Sequence, residues 1–321
     1  MYYEQKKRAR ADRASKVKTS WGGDLAIPKD LAKTKFIGYD KMESEATVLA
    51  ILADGQLVDR IEAGTDAAVI LSETPFYAES GGQVGDMGEL EGDGTFAVSD
   101  TQKGGDGFFL HMGTLEQGSL TVGSTVTAKV DTERRMAIMR NHTSAPLLQA
   151  ALRKVLGTHV EQKGSLVDDQ RLRFDFSHNE KMTKEQIQQV EDLVNDAIKR
   201  DLQVTVVTMT PQEAVEKGAV AFFSSKYGEQ VTVYTIGDFS KEVCAGPHVT
   251  HTGDMGHFRI LKEETVKSIL AVSTRPATLS DPNYSLGLRA PLKDGEDEWF
   301  GHGGAWGTNC MVNWHKRELK L

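Results

Sequence analysis

The chain has 321 residues, 39% of them hydrophobic, which is enough for about two domains with buried cores. Its net charge of −8 argues against an affinity for nucleic acid over the whole surface, although it permits a local basic patch. Two cysteines exclude a disulfide framework, and no long apolar run or signal-peptide pattern occurs. We therefore expect a cytoplasmic protein that does not enter a membrane.

Residues 1–34 predict an N-terminal helix followed by a linker. Within 2–19, Val17 and three alanines take weakly apolar helical positions. Trp21 and the two glycines that follow it end the helical pattern, and Pro28 marks a loop. The basic side chains of this helix have two possible roles, a solvated face, which is the commoner case, or a phosphate contact. They are Lys6, Lys7, Arg8, Arg10, Arg13, Lys16 and Lys18.

Residues 35–133 predict a small β-barrel. Apolar runs at 46–52 and 56–61 flank Asp54 and Gly55, which form a strong hairpin signal. Further short strands are predicted at 67–71, 95–99, 107–110 and 125–130, and short strands between glycine-rich turns are typical of a barrel. The paired glycines within 80–83 would let the backbone approach a ligand closely, although such a loop is more often a plain turn.

Residues 134–264 predict an α+β domain with an antiparallel sheet. One helix contains 147–155 and stops at Gly157, a second opens with a capping box from Thr183 to Gln186, and a third is capped by Thr210. Strands are predicted at 171–176, 204–208, 231–236 and 257–261. The predicted fold class is therefore α+β, with a small β-barrel, an α+β core and a short C-terminal module at 265–321.

Cys244 and His248 predict half of a metal site. A thiolate and an imidazole four residues apart can share one ion, but this chelate alone cannot fill a tetrahedral zinc site. His142 is the best candidate for another ligand. Its long separation from Cys244 in sequence is no obstacle, because the cost of closing a loop grows slowly with loop length. His251 is a further candidate that follows in the same loop.

The sequence also resembles a known family. Residues 1 to 264 resemble the internal editing region of bacterial alanyl-tRNA synthetase and the free-standing proteins that edit mischarged alanine tRNA. The segments that carry the resemblance are 21–28, 74–88, 140–143, 157–167, 172–178 and 237–256. It implies a β-barrel, an editing core shared with threonyl-tRNA synthetase, and hydrolysis of seryl- or glycyl-tRNA for alanine. The aminoacylation domain normally precedes this region, so we expect no ligase activity from this chain alone.

The resemblance also implies a zinc site built from four ligands. The family binds zinc through two histidines of a helix and through the Cys and His of a Cys-Gly-Gly-Thr-His motif, to which His142, Cys244 and His248 correspond. Pro146 replaces the second helix histidine. Since proline disfavours helical geometry in the residue before it, we predict that the helix begins after Ala145 and that His142 precedes it. A three-ligand site with one open position is still a catalytic zinc geometry.

Other departures lie beside these ligands: Ala145 replaces a threonine that recognises substrate, and Ala245 and Pro247 replace a glycine and a threonine. For the remaining site we expect Gln162 to act with Cys244 in catalysis, the alternative for Gln162 being a solvated loop position. Asp175 is expected to order its surroundings rather than to catalyse. The residues expected to bind substrate are Thr143, Ser80, Gly81, Gly82, Arg140 and Arg173, and phosphates of the tRNA acceptor stem would meet Arg140, Lys163, Arg171 and Arg173.

Residues 265–321 resemble a C-terminal fragment of serine β-lactamase-like hydrolases. The segments 284–287 and 300–308 carry this resemblance, and His302 would be inert because its hydrolase partners are absent. Three functions remain open from the sequence: an aminoacyl-tRNA deacylase that binds the acceptor end of alanine tRNA, a tRNA-binding remnant without catalysis, and a hydrolase whose activity comes from the tail.

Overall fold

The computed structural model describes residues 31–104, 107–220, 228–264, 269–275, 299–303, 309–313 and 318–320. The predicted N-terminal helix, the segment 21–28 and the tail segment 284–287 lie outside the described residues. The chain divides into two compact units, Met1–Arg275 and Pro276–Leu321. In the described part of the chain, none of the helices has the length and apolar character needed to cross a membrane.

Among the described residues of the first unit, strands dominate and three α-helices accompany them. The strands are β1 (Lys35–Phe36), β2 (Glu43–Ala53), β3 (Gln56–Val58), β4 (Arg60–Glu62), β5 (Asp66–Leu71), β6 (Glu73–Thr74), β7 (Gly88–Glu91), β8 (Gly94–Lys103), β9 (Phe109–Thr121), β10 (Thr125–Val130), β11 (Gln162–Val167), β12 (Leu172–Phe176), β13 (Val204–Met209), β14 (Val231–Ile236), β15 (Ser240–Val243), β16 (His257–Glu264) and β17 (Ile269–Arg275). The helices are α1 (Thr132–Leu156), α2 (Lys184–Lys199) and α3 (Pro211–Glu216). The predicted α+β class is confirmed.

Six strands close into a barrel. They follow the order β10-β7-β8-β9-β5-β2, and β10 pairs back onto β2. Alternate side chains of these strands fill the interior, which includes Val48, Phe96 and Leu115. The hairpin predicted at Asp54 and Gly55 is confirmed, with left-handed φ values of 49° and 75° at the two turn residues.

Two strand predictions in the barrel needed correction. The run at 56–61 is two strands, because β3 pairs with β2 whereas β4 pairs with β9 after a bend at Asp59. The strand predicted at 107–110 is the start of the 13-residue β9, which is long enough to pair with β8, β5 and β4. The glycines at 113 and 118 did not end it. Gly113 permits close packing instead, since an added Cβ would lie 1.8 Å from the Ala97 carbonyl oxygen.

Helix α1 starts much earlier than predicted. It runs from Thr132, where Asp131 caps the first turn, to Leu156, and Gly157 ends it. The prediction that the helix begins after Ala145 is therefore wrong, and His142 lies inside the helix, with Pro146 one turn later. Proline in a helix interior costs about 3 kcal/mol. Residues 141–149 are all buried, and packing on every side of the helix outweighs this local cost.

Two antiparallel sheets and helix α2 complete the second half of this unit. One sheet has the order β11-β12-β17-β16 and the other β13-β14-β15. The capping boxes predicted at Thr183 and Thr210 are both confirmed. Helix α2 turns its apolar face, including Val190 and Val194, into a core shared with α1 and the strand residue Phe174. This core also includes Val249, so it joins α1 to the loop that follows β15.

A buried ion pair joins the barrel to α1. Arg135 is fully buried and binds the carboxylate of Asp86 through Nε, at 3.0 and 2.8 Å, and through Nη2. Its guanidinium also donates to the carbonyl oxygens of Gly38 and Pro75, each at 2.8 Å. Asp86 accepts a further bond from the Tyr77 backbone N–H at 2.6 Å. The pair was not predicted, because its partners come from distant loops and no local pattern marks them.

The second unit contains a three-stranded antiparallel sheet. Its strands are β18 (Trp299–Gly303), β19 (Asn309–Asn313) and β20 (Glu318–Lys320), in that order. His302 lies in β18 and pairs with Cys310 of β19.

Candidate metal centre

His142, Cys244 and His248 come together in the structure. Helix α1 supplies His142, and the loop after β15 supplies the other two residues. Their candidate ligand atoms all lie within 4.8 Å of one another. Cys244 Sγ is 3.3 Å from His142 Nε2, across 102 residues of chain, and the two imidazole centroids are 4.8 Å apart. The cluster therefore presents one sulfur and two ring nitrogens to a common point.

Thr143 fixes the protonation of His248. The Thr143 hydroxyl donates to the Met139 carbonyl oxygen at 2.7 Å, so its oxygen can only accept from its other neighbours. It accepts from the Val249 N–H at 3.2 Å and lies 3.2 Å from His248 Nδ1, which must therefore carry a proton. His248 Nε2 then has a free lone pair. This atom is buried and has no hydrogen-bond partner among the described residues, as expected of an atom that binds a metal ion.

Gln83 contacts the other histidine. Its side-chain Oε1 lies 2.5 Å from His142 Nδ1, and both residues are buried. Sequence reasoning noted the loop that contains Gln83 but did not select Gln83 itself. The available signal was its position directly after Gly81 and Gly82, since a tight glycine turn aims the next side chain in a defined direction.

Burial sets the charge state of all three residues. It lowers the pKa of His142 to about 4, and burial together with His142 lowers the pKa of His248 well below its usual value. Burial also raises the pKa of the Cys244 thiol to about 11, against the lowering effect of backbone N–H groups at Gly246 and Ala245. Both histidines are therefore neutral and able to bind a metal at neutral pH, whereas Cys244 must lose a proton to do so.

The donor set fits a zinc ion. A thiolate and two imidazoles are ligands that zinc prefers, and three protein ligands with one open position are typical of its catalytic sites. Pro146 follows His142 by one helical turn and has no atom that could serve as a fourth ligand. His251 is not part of the cluster; its side chain is 46% exposed and its Nδ1 lies 3.6 Å from Asp201. A bound ion would thus be held by His142, Cys244 and His248.

Gly246 lets the loop after β15 approach His142. A Cβ added at this position would lie 2.0 Å from His142 Cε1 and 2.4 Å from Nδ1. The loop is also held from the barrel side, where the Tyr39 hydroxyl donates to the Ala245 carbonyl oxygen at 2.9 Å. On the other side the ring of Tyr234 packs on His248 with centroids 4.2 Å apart. Neither tyrosine was selected from the sequence, because no motif links them to the cluster.

Residues 80–83, which we call the glycine loop, pack on strand β11. Gly82 accepts a bond from the Val167 N–H at 2.8 Å, and Val84 donates to the Val167 carbonyl oxygen at 3.0 Å. A Cβ on Gly82 would lie 2.4 Å from the Ser165 carbonyl oxygen, so only glycine fits there. Ser80 Oγ instead accepts from Lys103 Nζ at 3.0 Å. The loop therefore contacts β11 directly, with Gln83 as the side chain that reaches the cluster.

Gln162 lies at the first position of β11, where it pairs with Phe176. Val167, which binds the glycine loop, is the last residue of the same strand. Five residues of strand span roughly 17 Å, so Gln162 lies at the opposite end of β11 from the residue that contacts the glycine loop. Asp175 lies on β12 beside Gly164, and burial raises the pKa of its carboxyl.

Most of the cations selected from the sequence are paired with acids. Lys163 binds Glu161 at 2.7 Å, and Arg173 lies 3.3 Å from Asp175. Arg171 lies 3.9 Å from Asp168 in the same way. Arg140, on α1 two residues before His142, differs from them. Its Nε is buried and has no hydrogen-bond partner among the described residues.

Comparison with family models gives two matches. Residues 1–134 match the model of tRNA synthetases class II (A), and residues 231–270 match the model of the threonyl and alanyl tRNA synthetase second additional domain. The first match contains the barrel and the glycine loop, and the second contains Cys244 and His248. These are editing-type domains of tRNA synthetases, and they imply tRNA binding. Neither match supports the resemblance of residues 265–321 to a β-lactamase-like hydrolase.

Proposed function

We propose that the chain hydrolyses the ester of mischarged seryl- or glycyl-tRNA for alanine, because its two family matches fit an editing region of the alanyl-tRNA synthetase type. The observation that carries the proposal is the cluster of Cys244, His142 and His248, whose three donor atoms lie within 4.8 Å of one another, with both histidines buried and Cys244 half-buried. Three protein ligands would leave one position of a tetrahedral zinc ion open. A structural site would use four protein ligands, whereas an open position suits hydrolysis. The expected cytoplasmic location remains a prediction.

Zinc, when bound, would supply a Lewis acid that polarises a water molecule or an ester carbonyl. The residues around the cluster would hold its geometry and restrict the space for the amino acid. Thr143 keeps His248 in the tautomer that offers Nε2. Tyr39, Tyr77 and Tyr234 surround Cys244, and burial together with the Cys244 sulfur raises the pKa of each phenol. These phenols stay protonated at neutral pH. The hydroxyls of Tyr39 and Tyr77 already donate to the carbonyl oxygens of Ala245 and Ser80, so Tyr234 is the phenol that could donate to a substrate.

The terminal adenosine and its amino acid would enter this site, with the acceptor stem outside it. Arg140 is the best candidate for a phosphate contact, because its side chain is only half-buried and forms no ion pair among the described residues. Lys163, Arg171 and Arg173 are less available, since each is paired with a carboxylate. We therefore expect weak tRNA binding with a shallow dependence on salt, in keeping with few phosphate contacts.

A second candidate is a tRNA-binding remnant without catalysis, which Pro146 favours because it offers no fourth ligand. Deacylation of seryl-tRNA, glycyl-tRNA and alanyl-tRNA, all on the alanine tRNA, separates the two candidates. We expect zinc-loaded protein to release serine and glycine faster than buffer does, to spare alanine, and to lose this activity in Cys244→Ala. Binding of the tRNA without release above buffer would support the remnant and contradict the hydrolase.

A further inference from the structure

We propose that Gln83 is a positioning residue of the metal centre. Through Gln83, the barrel sets the metal affinity of the site that α1 and the loop after β15 form. The inference rests on the metal-binding role proposed for His142. Gln83 Oε1 lies 2.5 Å from His142 Nδ1 and is itself fully buried. An amide oxygen only accepts, so the proton of the neutral imidazole lies on Nδ1. His142 Nε2, which lies 3.3 Å from Cys244 Sγ, therefore keeps its lone pair for an ion.

The opposite orientation of the Gln83 amide would have the reverse effect. An N–H group facing Nδ1 would need a lone pair there, and the imidazole proton would move to Nε2, between His142 and Cys244. That tautomer cannot bind a metal through Nε2. The amide orientation of Gln83 thus decides whether the cluster is able to bind an ion.

The fold holds Gln83 in place from both sides. Ser80 and Gln83 exchange two backbone hydrogen bonds, at 3.2 and 3.0 Å, around Gly81 and Gly82, whose φ values are 62° and 93°. L-residues other than glycine rarely adopt such values, so the two glycines shape the turn. On the far side, Gly246 lies close to the Gln83 amide, since a Cβ added there would be 3.1 Å from Gln83 Oε1.

Residues that orient a metal-bound histidine typically contribute about 10–100-fold to metal affinity. Gln83 belongs to the barrel, whereas all three candidate ligands belong to α1 or to the loop after β15. Any change that lifts the glycine loop from Val167 would therefore weaken the metal site without touching a ligand. Sequence proximity gives no hint of this link, since Gln83 and His142 are 59 residues apart.

Two variants of the full chain test the proposal by zinc and cobalt affinity, measured in competition with a chelator. Gln83→Leu removes the acceptor at similar volume, and we expect affinity to fall about 10–100-fold. Gln83→Glu keeps an acceptor oxygen toward Nδ1, and we expect affinity equal to wild type or tighter. Gln117→Leu, the same substitution at an exposed position of β9 in the barrel, is the matched control and should change affinity less than about twofold.

A second measurement needs no metal, and its wild-type result tests the proposal even if Gln83→Leu does not fold. Nitrogen NMR of the metal-free wild type should show the proton of His142 on Nδ1, and Gln83→Leu should shift it toward Nε2. A wild-type proton on Nε2 would overturn the proposal, as would equal affinities of wild type and Gln83→Leu, or a Gln83→Glu variant as weak as Gln83→Leu. These readouts do not involve tRNA, so a chain that deacylates nothing would refute the proposed function and leave the role of Gln83 intact.

Discussion

Removing the Asp86 carboxylate should destabilise the protein strongly. In Asp86→Ala the guanidinium of Arg135 stays buried without its counterion, and breaking such a pair from one side costs about 3–5 kcal/mol. Two carbonyl oxygens still accept from Arg135, which favours the lower end of that range, about 3 kcal/mol. The Tyr77 N–H loses its acceptor as well, which adds about 1 kcal/mol. We therefore expect the free energy of unfolding to fall by about 4 kcal/mol.

Urea unfolding followed by circular dichroism measures this loss. The matched control is Lys129→Met, which breaks the ion pair with Glu91 on the barrel surface, where the two side chains are 40% and 43% exposed. Exposed pairs contribute little, so the control should lose much less stability than Asp86→Ala. The double variant Asp86→Ala with Arg135→Met should recover part of the loss, since no buried charge remains. A loss in Asp86→Ala no larger than in Lys129→Met would refute the reasoning.

Three further predictions concern protonation and the missing ligand. Zinc binding at pH 7 should release about one proton. The proton comes from Cys244, whose pKa is raised to about 11, and not from His142, whose pKa is lowered to about 4. Calorimetry in buffers of different ionisation enthalpy counts the released protons, and a release of two or more would contradict the prediction. His111 is buried with its pKa lowered from 6.5 to about 4, so the stability it contributes is complete above pH 6.5 and is lost as the pH falls toward 4. The difference in unfolding free energy between wild type and His111→Gln should therefore change by about 2 kcal/mol from pH 7 to pH 5, and a constant difference would be inconsistent with a neutral buried His111. Pro146→His should tighten zinc binding by at least about tenfold. Pro146→Ala should raise only the free energy of unfolding and leave zinc affinity unchanged. Equal zinc affinities of the two variants would mean that position 146 does not face the ion.

Local signals in the sequence predicted much of the fold. The capping boxes at Thr183 and Thr210, the stop at Gly157 and the turn at Asp54 and Gly55 each depend on residues within a few positions, and each was found where expected. Strand ends were less predictable, because β9 continues as far as its partners extend. Helix α1 shows the same limit, since burial of its middle outweighs the local cost of Pro146.

The candidate site was predictable only where a resemblance linked distant residues. Spacing alone placed Cys244 and His248 together, but the choice of His142 drew on the editing-region pattern. Gln83 and Arg135 were missed because each acts across the junction between the barrel and α1, where the partner depends on the packing of two folded elements. Tertiary contacts of this kind have no sequence period and become visible only in three dimensions.

The most direct test of the proposed function is the deacylation rate of seryl-tRNA for alanine as a function of bound zinc. Zinc would be added in steps to metal-free protein, with bound metal and released serine measured in the same samples. The account predicts a rate that rises with bound zinc and levels off at one ion per chain, with no rise in Cys244→Ala. A rate that stays at the buffer value while one zinc ion binds per chain would contradict it.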